Sequence, residues 1–305
     1  MHKQSPENVN ALSTKKTGYL KEDFRLFYNA DHGRRSFPFH YHDFHKILFL
    51  IEGNISYRIE GYTYDLQPGD IILVSAGEIH SPLIHDDSLY ERIIIYLSTS
   101  AFSHTDAVEL SAGNASSTDL LRCFTESSRR GMHLIRPDAD MLPDVLRFAR
   151  ELGSAAKDHT FGSDLLRKIK VQELLIRVNR SLFQTESELL SSHVSNPVLL
   201  DIMAYIKEHL TEEELTIDRI ADHAGLTRSY MMHLFKKETG TTIGVWLTEK
   251  RLFIARSAIQ AGMPITQACY QCGFGSYNAF YHAWRKKYGA PPTGKAPVSH
   301  TIEGE

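Results

Sequence analysis

Two stretches of this chain carry side chains suited to reading a nucleic acid, and they lie 49 residues apart. In the first, Met231, Leu234 and Phe235 fall on one helical face at i, i+3 and i+4, which turns Arg228, Ser229, Met232, His233 and Lys236 outward. In the second, Phe280, Ala283 and Trp284 take the apolar places, and Tyr277, Asn278, Tyr281, His282 and Arg285 face out. Lys237 and Lys286 follow at matching positions. Donors and acceptors early in a helix, with cations one or two turns later, suit a helix that reads base edges in a major groove and holds the flanking phosphates.

A repeated unit must position these residues. Ile217, Ala221, Ala224 and Gly225 recur as Ile265, Cys269, Cys272 and Gly273, each shifted by 48. After the glycine the second copy holds one more residue. Met231, Leu234, Phe235, Lys236, Lys237 and Gly240 then recur as Phe280, Ala283, Trp284, Arg285, Lys286 and Gly289, shifted by 49. Each copy reads as a short helix, a glycine turn and a second helix. Cys269 and Cys272 have a spacing used for zinc or thiol exchange, but they fall where the first copy has alanines, so they read as small packing residues. Charge follows the same division. The whole chain has net charge −3, yet residues 226–295 carry ten Lys/Arg against Glu238 and Glu249, a local net of +8, while residues 1–196 carry 22 basic and 26 acidic side chains. A basic end suits a polyanion, because each neutralised phosphate releases counterions whatever the base sequence.

The 305 residues, 42% hydrophobic and 23% charged, are enough for two domains. Short β-rich runs at 24–28, 46–51, 55–59, 71–74 and 92–97 are separated by turn chemistry at Gly53-Asn54, Glu60-Gly61 and Pro68-Gly69-Asp70. They predict a small barrel or jelly roll whose polar mouth takes a small ligand. Residues 101–117 read as a loop, helical periodicity begins at Leu120, and no catalytic cluster occurs in this middle region. Residues 163–183 form an amphipathic packing helix with Leu166, Ile169, Leu174, Val178 and Leu182 on its apolar stripe, and residues 184–196 read as a linker ending at Pro197. The expected fold class is α+β. It comprises an N-terminal β-barrel over residues 1–118, a helical dimerisation region and linker over 119–195, and an all-α domain with two helix-turn-helix units over 196–295. Three cysteines, a polar start and the lack of a long apolar run point to a reducing compartment, with no membrane partner and a cytoplasmic location.

The runs Gly225-Leu226-Thr227-Arg228-Ser229-Tyr230 and Leu234 to Gly240, with Ala268 to Phe274 and Trp284 to Tyr288, resemble the AraC/XylS transcription regulators over about 100 C-terminal residues. The resemblance implies seven helices, two of them in successive major grooves. Base contacts then fall on Ser229, Met232, His233, Tyr277, Asn278, Tyr281 and His282. Many members have arginine where this chain has His233 and His282, Ala279 replaces a frequent aromatic, and the tail after Pro292 lacks the usual Tyr-Arg ending. The segment from His40 to Lys46, with Pro68-Gly69-Asp70 and Ala76 to His80, is similar to the cupin sensor domain of the same family. In metal-binding cupins His40, His42 and His80 would be three ligands, but the fourth position holds Lys46, a cation that repels a metal. The leading reading is a metal-free pocket, with no cofactor, in which Arg25, His40, His42, Lys46 and His80 hold an organic effector, a sugar or related metabolite or an acidic one; a metal site and purely structural histidines are the other readings. Double-stranded DNA, the effector, RNA polymerase and a second copy of the chain are the implied partners. The alternative is a metal-dependent cupin enzyme with an attached helical domain.

Overall fold

The unbroken apolar runs Ile47–Leu50, Ile71–Val74 and Ile93–Leu97 have an immediate structural reason: each lies in a strand covered on both faces. The structure, a computed structural model, describes residues 20, 22–32, 37, 39–99, 101–102, 119–137, 140–155, 160–184 and 193–292. Strands β1 (Phe24–Asp31), β2 (His45–Glu52), β3 (Ile55–Ile59), β4 (Tyr62–Asp65), β5 (Ile71–Val74), β6 (His80–Ile84), β7 (Tyr90–Leu97), β8 (Leu134–Ile135) and β9 (His193–Ser195) form two antiparallel sheets. Their orders are β1-β7-β2-β5-β8 and β6-β3-β4-β9. Between the sheets lies a core of Leu48, Leu50, Ile72, Val74, Ile94 and Tyr96 from the first and Ile55, Tyr57, Ile59 and Tyr64 from the second. The opposite face of the five-stranded sheet packs Ile47, Phe49, Leu73 and Ile95 against helices α1 (Arg122–Arg130), α2 (Met141–Ala155) and α3 (Ser163–Gln184).

Strands β4, β6, β8 and β9 were not legible in the apolar pattern. Pro82 lies within β6, which is tolerated because β6 is an edge strand and a proline there removes no ladder bond needed by a second neighbour. β3 and β4 are joined by the two-residue turn Glu60-Gly61, with φ of 47° and 84°. Two positive φ values match the right-handed strand twist, and Glu60 is the one non-glycine among the described residues to adopt such a conformation.

Two expectations require correction. The end of the expected linker is β9, which pairs with β4 (Thr63 opposite Val194) and so belongs to the second sheet; residues 185–192 lie outside the described residues, as do 103–117 of the expected loop. The stripe of α3 is also divided. Leu174, Val178 and Leu182 are buried with Val171 and Leu175, but Leu166 and Ile169 are 51% and 49% exposed, because the covering helices reach only the C-terminal part of α3.

From Asn196 onward the chain is helical: α4 (Pro197–His209), α5 (Ile217–Ala224), α6 (Arg228–Thr239), α7 (Ile243–Gln260), α8 (Ile265–Gln271) and α9 (Tyr277–Tyr288). These are six helices among the described residues, against the seven implied by resemblance. The side chains of Asn196, Thr216, Thr227, Thr242 and Ser276 accept first-turn amides, and Gly240 and Gly289 close α6 and α9 in the left-handed conformation. One core gathers Leu199, Ile202, Ile206, Met231, Phe235 and Trp246, and a second gathers Leu252, Ile259, Cys269, Phe280 and Trp284. Helix α7 contributes to both. Among the described residues no helix is long and apolar enough to cross a membrane.

Candidate DNA-reading helices and barrel pocket

The repeat forms two matching helix pairs. Met231 and Phe235 in α6, and Phe280 and Trp284 in α9, are essentially fully buried, so the faces opposite them are held outward by packing. On α6, Arg228, Ser229, His233, Lys236 and Lys237 are exposed and Met232 is half-buried; on α9, Tyr277, Asn278, His282, Arg285 and Lys286 are exposed and Tyr281 is half-buried. All twelve residues expected at a DNA surface therefore lie on the two second helices and off their buried faces. Arg228 donates to both carboxylate oxygens of Asp218 at 2.9 and 3.0 Å, which orients its guanidinium across the start of α5. Tyr277 and Tyr281 stack at 6.3 Å between centroids and present one aromatic ridge. Lys287, next in sequence to these cations, turns the other way and pairs with Glu249 of α7 at 2.7 Å.

Cys269 and Cys272 are buried in the second core, and burial pushes the Cys272 thiol up to about 11 and raises that of Cys269. Thiols held protonated in this way are poor nucleophiles and poor metal ligands, in keeping with packing.

In the barrel, register and alternation bring the expected pocket residues together at one end. Arg25 and Lys46 both stand opposite Tyr96, on β1 and β2 respectively, so Arg25, Tyr96 and Lys46 form a row across one sheet. Lys46 is fully buried and its ammonium donates to the Tyr57 hydroxyl of the facing sheet at 2.7 Å. The Tyr57 ring stacks on His80 at 6.0 Å. His40 and His42 lie 4.4 and 4.8 Å from His80 between ring centroids, and His40 and His80 exchange two backbone hydrogen bonds. Nδ1 of His42 lies 2.6 Å from the Phe44 carbonyl and Nδ1 of His80 lies 3.0 Å from the Glu78 carbonyl. A carbonyl only accepts, so each Nδ1 carries a proton. Burial first, and then the neighbouring His40 and Lys46, hold His80 well below the ordinary histidine range, so it is neutral. Arg25 lies at the rim, paired with Glu22. The end of the barrel thus offers one buried cation, the neutral imidazole of His80, the imidazoles of His40 and His42, and a tyrosine, a set that recognises hydroxyls and anions. Among the described residues, no group of three or more His, Cys, Asp or Glu side chains is arranged to hold a metal ion.

Sequence reasoning missed a second set of polar residues. Glu60 is fully buried and accepts from Lys250 at 2.7 Å and from the Ile79 amide at 2.7 Å, with Lys207 at 3.8 Å. Asp43 pairs with Arg256 at 2.9 Å, and Tyr41 donates to Glu249. These contacts join the barrel to α4 and α7. The available signal was the alternation of residues 40–46: His42, Phe44 and Lys46 turn into the barrel, so Tyr41 and Asp43 must turn out of it.

Two protein families match this chain, the AraC-like ligand binding domain over residues 26–175 and a helix-turn-helix domain over residues 220–294. The HTH-type transcriptional activator RhaS of Citrobacter koseri is 25% identical over 259 residues, covering 84% of this chain and 86% of that protein. RhaS of Shigella sonnei is 24% identical over 257 residues with the same coverage. Among solved structures, ToxT from Vibrio cholerae matches 89% of this chain and 96% of its own at 14% identity, with a TM-score of 0.34. With one family match over the barrel and another over the helical repeat, between them taking in most of the sequence, the chain belongs to the AraC-type transcription regulators, with an N-terminal ligand-binding domain and a helix-turn-helix DNA-binding domain.

Proposed function

We propose that α6 and α9 read promoter DNA, and that an organic effector held by Arg25, His40, His42, Lys46 and His80 controls that reading without a metal. The observation that carries this is the pair of matched helices whose polar faces are held outward by fully buried Met231, Phe235, Phe280 and Trp284. Ser229, Met232, His233, Tyr277, Asn278, Tyr281 and His282 read bases; Arg228, Lys236, Lys237, Arg285 and Lys286 hold phosphates. Residues 1–118 act as the sensor, 119–195, whose β8 and β9 complete the sensor's two sheets, as the dimerising region, and 196–295 as the DNA-binding domain. A homodimer through the exposed start of α3 is supported by Leu165, Leu166 and Ile169, large apolar side chains left exposed there, with Phe161 exposed just ahead of the helix. The RhaS relatives are named transcriptional activators, which supports activation; RNA polymerase as a partner and a cytoplasmic location belong to the same proposal. The protein is a regulator in this reading and carries out no reaction.

The test is selection of bound duplexes from a random library by the full chain, repeated with His233→Ala and His282→Ala. Each variant is expected to relax base preference at a different position by about 1–3 kcal/mol. Unchanged preference in both would reject the assignment. For the pocket, chelator-treated protein is titrated with sugars and sugar acids while thermal stability is followed. A rise lost in Lys46→Met supports the reading, and a response that returns only with added zinc, manganese or iron rejects it.

A further inference from the structure

The two helix-turn-helix cores are linked along the chain by a single helix, α7, which gives Trp246 and Leu247 to one core and Leu252, Ala255 and Ile259 to the other. Beside it, Arg251 of α7 donates to the Leu210 and Glu212 carbonyls of the first unit and lies against Gly273 of the second, where Gly275 also meets Glu213. A further tie runs through the barrel. The Phe39 ring lies against Gly240, the residue that ends α6: a Cβ there would approach Phe39 Cδ2 to 2.1 Å. Arg58 covers the Phe39 ring at 4.5 Å. Two residues on, the Tyr41 hydroxyl donates to Glu249 of α7, its ring meets Phe253 of α7 edge-on at 6.4 Å, and Lys287 of α9 lies 4.1 Å over it. Two residues further, Asp43 pairs at 2.9 Å with Arg256, whose guanidinium lies 5.5 Å over Tyr288 of α9. Three alternate side chains of one extended segment thus reach α6, α7 and α9.

We propose that segment 39–43 is a clamp that sets α6 and α9 relative to each other, and so sets the spacing between half-sites that the protein accepts on DNA. The proposal rests on the assignment of α6 and α9 as the reading helices. One base pair turns the duplex by about a tenth of a turn, so a change of one or two pairs between half-sites demands a different setting of the two helices. The clamp opposes that change. Its residues position the reading helices and touch no base.

The experiment takes a duplex selected by the full chain and inserts or deletes one or two base pairs between the half-sites, with retardation measured at fixed salt. The wild-type chain is expected to favour the selected spacing between about 5- and 150-fold. In Tyr41→Ala and Asp43→Asn that ratio falls to about threefold or less, with base preference inside each half-site unchanged. Asp43→Asn keeps the side-chain volume, so it remains informative if Tyr41→Ala fails to fold. A wild-type spacing ratio in either folded variant overturns the clamp, because α7 and the Arg251 and Glu213 contacts would then set the geometry without it. A wild-type chain that shows no base preference in either half-site overturns the reading helices themselves, and the clamp with them.

Discussion

Lys250→Met tests the joint between barrel and helices directly. Glu60 is fully buried, and its carboxylate has Lys250 at 2.7 Å, Lys207 at 3.8 Å and the Ile79 amide at 2.7 Å. Lys250 also donates to the Gly77 carbonyl. Methionine preserves most of the side-chain length but leaves a buried carboxylate with one distant cation. Removing one partner of a buried pair costs about 3–5 kcal/mol. The pH dependence identifies the cause. In the wild-type chain burial pushes the Glu60 carboxyl upward, but Lys250, then Lys207 and the hydrogen bonds, outweigh it and hold it below the usual glutamate range. A depressed carboxyl contributes stability above its unfolded value, and that contribution is lost as pH falls. Without Lys250 burial prevails, the carboxyl moves up, and the group costs stability increasingly as pH rises. The gap between the proteins should therefore be widest near neutral pH and narrow below about pH 4.5. Urea titrations of both from pH 4 to 8 measure it, and Glu60→Gln with Lys250→Met should recover most of the loss. A gap under about 1 kcal/mol, or one constant across this range, would refute the buried pair.

His45 is pushed down to about 4 by burial; its ring stacks on Phe124 at 4.3 Å and its Nδ1 accepts from the Ala76 amide at 3.2 Å. A depressed histidine contributes stability above its unfolded value that is lost as pH falls, so thermal melts of His45→Asn should lose less between pH 6.5 and 4 than wild type, by about 2–3 kcal/mol. Lys237→Ala should weaken binding to all duplexes and lower the salt slope by about one unit, measured by retardation from 50 to 200 mM salt. Leu165→Glu with Ile169→Glu should convert a dimer to a monomer in sedimentation, with circular dichroism unchanged.

The repeat was legible because both copies obey one packing rule: a bulky apolar pair one turn apart in α6 and α9, small residues at the helix crossing, and glycine after the last turn. This alone distinguishes buried Cys269 from a redox cysteine. Strands β2, β5 and β7 were legible as unbroken apolar runs, since both their faces are covered. β4 and β9 were hidden because an edge pair needs only backbone groups, and β6 because Pro82 argues against a strand until its edge position is known. The exposure of Leu166 and Ile169 follows from where α1 and α2 end on α3, a tertiary fact that periodicity along α3 does not contain. The pocket histidines were visible as residue types. The facing set of Tyr41, Asp43 and Glu60 was not, since its partners Lys250 and Arg256 lie about 200 residues away along the chain.

In the proposed function one chain reads two successive major grooves with α6 and α9. Chemical protection of a selected duplex by the full chain measures this directly, with His233→Ala and His282→Ala as companions. Two protected clusters on one face, about 10 base pairs apart, are expected, with His233→Ala weakening protection in one cluster and His282→Ala in the other. A single cluster, or both variants acting on the same positions, would contradict it.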